Sequence, residues 1–224
     1  MDPAQSRTTD AEKIEEDAGL PGNVKVTRDD WLDAAMEILV NDGVSEVKIL
    51  SIGARLGVSR SSFYWYFESR KDLLDQLLDK WEQTNTGILM HYARLEAATI
   101  TEALCNFFRC IIVPGGFDHR LDFAVREWAR RDAAVHEVVH RSDAARQQAL
   151  VEMYERHGYS PAEADIRARV LYYQQIGYYA LEIAEPLEDR ITRIDGYLYC
   201  FSGHRAPQAE IDAFLDFARN VDRT

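Results

Sequence analysis

From Thr27 to Val221 the apolar residues recur at spacings of three and four, and runs that alternate apolar with polar are few. That rhythm matches the 3.6-residue turn of a helix and not the two-residue period of a strand. Start and stop signals agree with it. Thr27 is a natural N-cap, with Asp29 and Asp30 in the first turn, where the helix dipole favours carboxylates. Ser160-Pro161-Ala162-Glu163 is a capping box with proline at the first helical position. No internal repeat is present, and the fold class expected is all-α.

Trp31, Ala34, Ala35, Ile38 and Leu39 give the first helix one apolar face, and Asn41-Asp42-Gly43 closes it. A short helix follows over about Ile49–Leu56, stopped by Gly57. A third, capped by Ser59, is expected to run through Tyr66. Ser69 caps a longer fourth helix to about Leu95, with Leu73, Leu74, Leu77, Leu78 and Trp81 as its stripe. Further helices are expected over Thr101–Val113, Asp118–Arg130, Asp132–His157, Ser160–Glu185, Glu188–Phe201 and Pro207–Val221. The expected domains are an acidic disordered tail over 1–23, a small helical head over 24–70 and a larger helical body over 71–224.

The chain has 224 residues, 46% of them hydrophobic, enough to bury a full core. No run of about 18 apolar residues suggests a membrane span, and the start lacks a signal-peptide pattern. The expected address is cytoplasmic, with no membrane partner. Three cysteines, Cys105, Cys110 and Cys200, are too few for a disulfide framework and read best as buried small hydrophobes. The net charge is −12, but its distribution is uneven. Residues 1–23 hold two cations against six carboxylates, a net of −4. Residues 44–71 hold Lys48, Arg55, Arg60, Arg70 and Lys71 against Glu46 and Glu68, a net of +3. A small basic surface on an acidic body suits a protein that touches DNA at one place only.

Two short helices joined by a turn containing glycine form the helix-turn-helix pattern. Its second helix lies in the major groove with its N-terminal residues at the base edges. Here those residues are Ser59, Arg60, Ser61 and Ser62. Phe63 and Phe67, four apart, are expected to point into the head's core. Trp65 either packs against a sugar or thymine methyl, or is buried. Lys71 stands at the start of the fourth helix, where free N–H groups attract anions, and Lys48 precedes the second helix in a similar way.

The stretch from Ile49 to Leu74 resembles the DNA-binding domain of the TetR family. The resemblance is carried by Leu56, Gly57, Val58, Ser59, Phe63, Tyr64, Tyr66, Phe67, Ser69, Lys71, Leu73 and Leu74. Gly53 departs from the family's usual alanine, and Ser69-Arg70-Lys71-Asp72 is longer in basic character than the common pattern. The resemblance implies that Tyr64 and Tyr66 touch the DNA backbone and that Lys71 clamps a phosphate. It also implies a homodimer, paired through about 162–184 and 206–221. Two local stripes fit that role: Ile166, Val170, Tyr173, Ile176, Gly177 and Ala180, and then Ile211, Phe214, Leu215 and Ala218.

The body is rich in aromatics. Each alone reads slightly better as core, but together they suggest an effector pocket lined by Phe107, Phe123, Trp128, Tyr154, Tyr173 and Tyr178. His136 and His140, four apart, could form half of a metal site, yet no third ligand is evident and a solvated face is the better reading. Arg126 and Glu127 read as ion-paired residues. No catalytic residue, metal or cofactor is expected: the sequence has no nucleophile elbow, phosphate loop or zinc motif. The function expected is a transcription regulator, a repressor released from a near-palindromic double-stranded operator by a small-molecule effector. The alternatives are an activator or effector-free DNA-binding protein and, in another class, a helical-bundle enzyme.

Overall fold

A computed structural model describes residues 26–221, and the expected acidic tail lies outside them. Among the described residues there are twelve α-helices and no strand. Helices α1 (Arg28–Asp42), α2 (Ile49–Leu56) and α3 (Arg60–Phe63) form a head. Helix α4 (Arg70–Trp81) leads through a π-helical turn (Glu82–Thr86) into α5 (Gly87–Ala93). The body follows with α6 (Ile100–Ile112), α7 (His119–Ala129), α8 (Ala133–Arg156), α9 (Pro161–Ala180), α10 (Leu187–Ile191), α11 (Ile194–Ser202) and α12 (Gln208–Val221). No helix among them is long and apolar enough to cross a membrane.

Thr27, Ser69 and Ser160 cap as the sequence signals, and Ser59 does not. The Thr27 hydroxyl accepts from the Asp30 amide, and the Asp30 carboxylate accepts from the Thr27 amide in return. Ser69, Thr99, Asp118, Asp132 and Ser160 each accept an amide from the first turn of the helix they open. Each such cap contributes about 1 kcal/mol by satisfying an orphan N–H.

Two hydrophobic clusters form. One holds Trp31, Ile38, Leu39, Ile52, Phe63 and Phe67 of the head with Leu73, Leu74, Leu77 and Trp81 of α4. It continues into Leu121, Val125 and Trp128 of α7 and Val135 and Val139 of α8. The other fills the body between α5, α6, α8, α9, α11 and α12. Helix α4 therefore belongs to the head's core by packing and to the body by chain continuity.

Six expectations are corrected. The recognition helix is a single α-turn, Arg60–Phe63, followed by turn residues to Tyr66. Its N-cap Ser59 bonds the Ser61 hydroxyl at 2.7 Å instead of a backbone amide. Helix α9 stops at Ala180, five residues early, where the Leu181 amide closes on the Gly177 carbonyl and Glu182 adopts φ +50°; Pro186 ahead also disfavours helix at Glu185. The expected helix over Glu188–Phe201 is two helices. The Thr192 hydroxyl donates to the Asp189 carbonyl at 2.8 Å, competing with the helical ladder there. The stripe of α12 is not free for a partner: Ile211, Phe214 and Ala218 are buried in the body's own core and Leu215 packs against it. Cys105 and Cys110 are buried, but Cys200 is exposed. Burial pushes both buried thiols up to about 12, so neither is a thiolate at neutral pH.

Candidate nucleic-acid interface

The inner side of the helix-turn-helix is a ring stack. Phe63 packs edge-on to Trp31 at 5.3 Å and stacks on Phe67 at 5.1 Å. Gly57 makes the turn at φ +68°. Gly53 has a separate reason. The Val58 amide donates to its carbonyl at 2.9 Å, and a Cβ there would lie 3.1 Å from the Val58 oxygen and 3.6 Å from the Trp31 ring. The close Val58 carbonyl, and not the Trp31 ring at ordinary contact distance, is what leaves little room for the family's alanine.

With Phe63 and Phe67 turned inward, the outer side carries the expected contact residues. Ser59, Arg60, Ser61 and Tyr64 are exposed, and Ser62 is half-buried with its hydroxyl on the Ser59 carbonyl. Arg60 donates to the Tyr64 hydroxyl at 2.9 Å and lies 5.7 Å from its ring, so the two present one surface. Trp65 is 76% exposed, which removes the core alternative for it. Tyr66 is half-buried, its hydroxyl donating to the Val26 carbonyl at 2.8 Å. Lys71 is 82% exposed at the start of α4, 2.6 Å from Asp75. That hydrogen bond and the Asp75 charge raise its pKa, so it is a full cation. Lys48 is exposed beside Glu46 at 2.9 Å. Leu50, off the apolar stripe of α2, is 68% exposed as well. Arg70, part of the basic segment by sequence, is not free surface: its guanidinium donates to the Val44 and Val47 carbonyls at 2.6 Å each, pinning the turn before α2.

The six aromatics expected to line one pocket do not converge. Phe107 is core, and Tyr154 is buried with its hydroxyl on the Phe201 carbonyl. Tyr173 is 52% exposed beside Arg169 and Gln147. Phe123, Trp128 and Tyr178 border an open cleft of about 860 Å³ between α1, α7 and the α9–α10 loop. Tyr178 also borders a small, half-open and mainly apolar cavity of about 60 Å³ among α6, α9, α10, α11 and α12. Periodicity finds apolar faces, but it does not say which neighbour covers them.

Between α7, α8 and α9, where that pocket was expected, stands a buried ionic network. Arg146 and Asp122 are fully buried, 2.9 Å apart. Arg126 bonds Asp122 at 2.8 Å and grips Asp143 with two nitrogens at 2.9 and 2.6 Å, so its ion-pair partners are these and not Glu127. The Tyr172 hydroxyl donates to Asp143 at 2.6 Å. From the head's side, Trp81 Nε1 donates to Asp122 at 3.1 Å. Arg146 Nε donates to the Thr86 hydroxyl at 2.9 Å, and the guanidinium lies 5.1 Å from the Trp81 ring and 5.4 Å from Phe117. Burial alone would raise the Asp143 carboxyl, but the Arg126 hydrogen bond and charge outweigh it and hold the group below its usual range. His136 and His140 are both exposed on α8.

A small head with an outward aromatic and cationic surface, carried by a helical body, defines a helix-turn-helix regulator by architecture. The model for bacterial regulatory proteins of the tetR family matches residues 32–77. Over 52 residues the chain is 36% identical to the HTH-type transcriptional regulator SrpR of Pseudomonas putida, covering 23% of this chain and 24% of that one. It is 26% identical over 131 residues to AcrR of Shigella flexneri, covering 58% and 56%. The matches thus span from about a quarter to just over half of these relatives. The solved structure of Mycobacterium smegmatis AmtR has the same fold, with a TM-score of 0.59 and 21% identity over 91% of this chain and 98% of that one. Residues 32–77 thus match the DNA-binding domain of the tetR family of bacterial regulatory proteins, and the chain as a whole has the fold of solved TetR/AcrR-family regulators.

Proposed function

We propose that this chain is a cytoplasmic, dimeric repressor that binds a near-palindromic operator and is released by a small molecule bound in the body. The observation that carries the DNA reading is the outer side of α3 and the turn after it: Arg60, Tyr64 and Trp65 stand in solvent, although two of them are large aromatics. Exposed aromatics of this kind mark contact surfaces. Lys71 supplies a phosphate contact from the next helix. The head spans 24–70 and the body 71–224, with α4 shared by both.

The test is anisotropy binding to DNA selected by the wild-type protein from a random pool, beside a scrambled duplex. Arg60→Ala should cost about 1–3 kcal/mol per head on the selected site. Lys71→Ala should weaken both duplexes about equally and flatten the salt dependence by about one unit per head. An unchanged salt slope for Lys71→Ala sinks its role as a phosphate clamp.

The dimer reading rests on α9. Ile166, Val170 and Tyr173 are each more than half exposed on one side, and Ile166 and Val170 border a shallow groove with Cys200 of α11. With the α12 stripe buried internally, the pairing face is α9 with α11. Val170→Glu would bury two carboxylates facing their two-fold mates. Sedimentation should show a dimer for the wild type and at least about 100-fold weaker association for the variant, given the cost of burying unpaired charge. A variant that stays dimeric at the same concentration would place the interface elsewhere.

Release by an effector requires differential affinity for the DNA-bound and free geometries. A hundredfold loss of operator affinity needs about 2.7 kcal/mol of coupling. A buried path for it runs from the body through Asp122 and Arg146 to Trp81 of α4.

A further inference from the structure

The small, half-open cavity among α6, α9, α10, α11 and α12 has one feature that packing alone does not account for. Its walls are apolar, formed by Phe108, Ile111, Ile112, Ile191, Ile194 and Phe214. Into this lining comes Gln175, more than nine-tenths buried, whose Nε2 has no hydrogen-bond partner. A buried amide without a partner is costly and uncommon in a native core. An acceptor oxygen placed in the cavity would satisfy it.

The rim decides the charge of what brings that oxygen. Glu185, Arg190 and Arg193 border the cavity. Arg193 takes the Glu185 carboxylate with two nitrogens, at 2.8 and 3.2 Å. Arg190 lies 4.7 Å over the Tyr178 ring and, among the described residues, has no carboxylate within 4 Å. One cation is therefore left in excess at the mouth, which favours an anion over an amine. The volume decides the shape. About 60 Å³ is well short of the roughly 150 Å³ cavity that holds benzene, and it accommodates about two methylene-sized groups.

We propose that this cavity binds short linear aliphatic carboxylates. The end of the chain occupies the apolar walls, an oxygen accepts from Gln175 Nε2, and Arg190 balances the charge. Resting on the reading of the chain as an effector-released repressor, the proposal makes this cavity the effector site. Helix α9 contributes both Gln175 to the cavity and Tyr172 to the buried ionic network, so a ligand that repositions α9 acts on the contacts that hold Trp81.

The experiment is calorimetry on the full chain with acetate, propanoate and butanoate, and with propylamine and benzoate as controls. The three acids should bind saturably and raise the thermal midpoint, and the controls should do neither. Gln175→Leu should weaken the acids about 5- to 10-fold, the size of one hydrogen bond, while raising the midpoint of the unliganded protein. Arg190→Gln, at the rim, should weaken them by about tenfold with the unliganded midpoint unchanged. A variant that merely loosened the fold would lower that midpoint instead. No saturable binding by any of the three acids overturns the site, as does wild-type affinity in both variants. The same acids are then added to the operator complex. Release in the wild type and not in the variants supports both readings. Saturable binding without release supports the cavity as a carboxylate site and removes the effector reading alone.

Discussion

Asp122→Ala should lower the thermal unfolding midpoint by about 10 °C, the largest loss expected from any single side chain here. The substitution leaves the fully buried Arg146 without its closest carboxylate, strips one of two from Arg126, and orphans the Trp81 indole N–H. Breaking a buried pair from one side costs about 3–5 kcal/mol, and each kcal/mol moves the midpoint of a chain this size by about 2–4 °C. Replacing both partners, Asp122→Leu with Arg146→Met, should recover most of the loss, because no unpaired charge then remains. Arg126 still keeps Asp143 in that double variant. Calorimetry on the two variants separates the cases, and a double variant as unstable as the single one would show that shape, not charge, is what Asp122 supplies. The same network sets an acid limit. Asp143 is held below its unfolded value, so its contribution is fully present above about pH 4 and is lost as pH falls through the folded value.

Gly116→Ala is the second. A Cβ on Gly116 would lie 2.1 Å from the Cys110 carbonyl oxygen and 2.8 Å from that of Val113. Both are backbone atoms already accepting hydrogen bonds, from the Phe117 and Gly116 amides at 2.8 and 2.9 Å. No side-chain adjustment relieves the collision, so the turn from α6 to α7 has to open. A cost of about 3 kcal/mol or more is expected, in the range of backbone strain. Phe117 next door packs against Arg146 at 5.4 Å, so the disturbance reaches the ionic network. Gly115→Ala is the control. It sits at φ +72° with open space around it and should cost only about 1–2 kcal/mol. Denaturant midpoints measured together decide the matter: equal losses at the two positions would contradict the steric account.

The head was legible because its information is local. A cap, a turn glycine and a four-residue spacing of Phe63 and Phe67 each act within one or two helical turns, and the structure places them as expected. The body's network was not legible. Asp122 and Arg126 lie four apart on α7, and Asp143 and Arg146 three apart on α8, spacings that on most helices mean solvent-exposed ion pairs. Only tertiary packing turns the two pairs toward each other and toward Trp81. The stripe of α12 misled for the related reason that an apolar face reads the same whether its cover is α6 of its own chain or a second subunit. Trp65 went the other way: a residue type that is usually buried stands in solvent, and the motif around it, not its hydropathy, was the better guide.

The π-helical turn at Glu82–Thr86 has a bearing on how the two parts are phased. A π turn holds about one residue more than an α turn, and the widened coil brings two successive polar residues, Asn85 and Thr86, to face inward together. Asn85 then clamps the backbone at the start of α7 through Asp118, and Thr86 takes Arg146. One residue of an α-helix corresponds to about 100° of rotation and 1.5 Å of rise. The azimuth of the head about the α4–α5 axis is therefore set by a residue count, in steps too coarse for side chains to correct. In the proposed dimer, heads meeting successive major grooves about 34 Å apart would owe their aim to that count, and within these five positions the length of the chain is a stronger constraint than its composition.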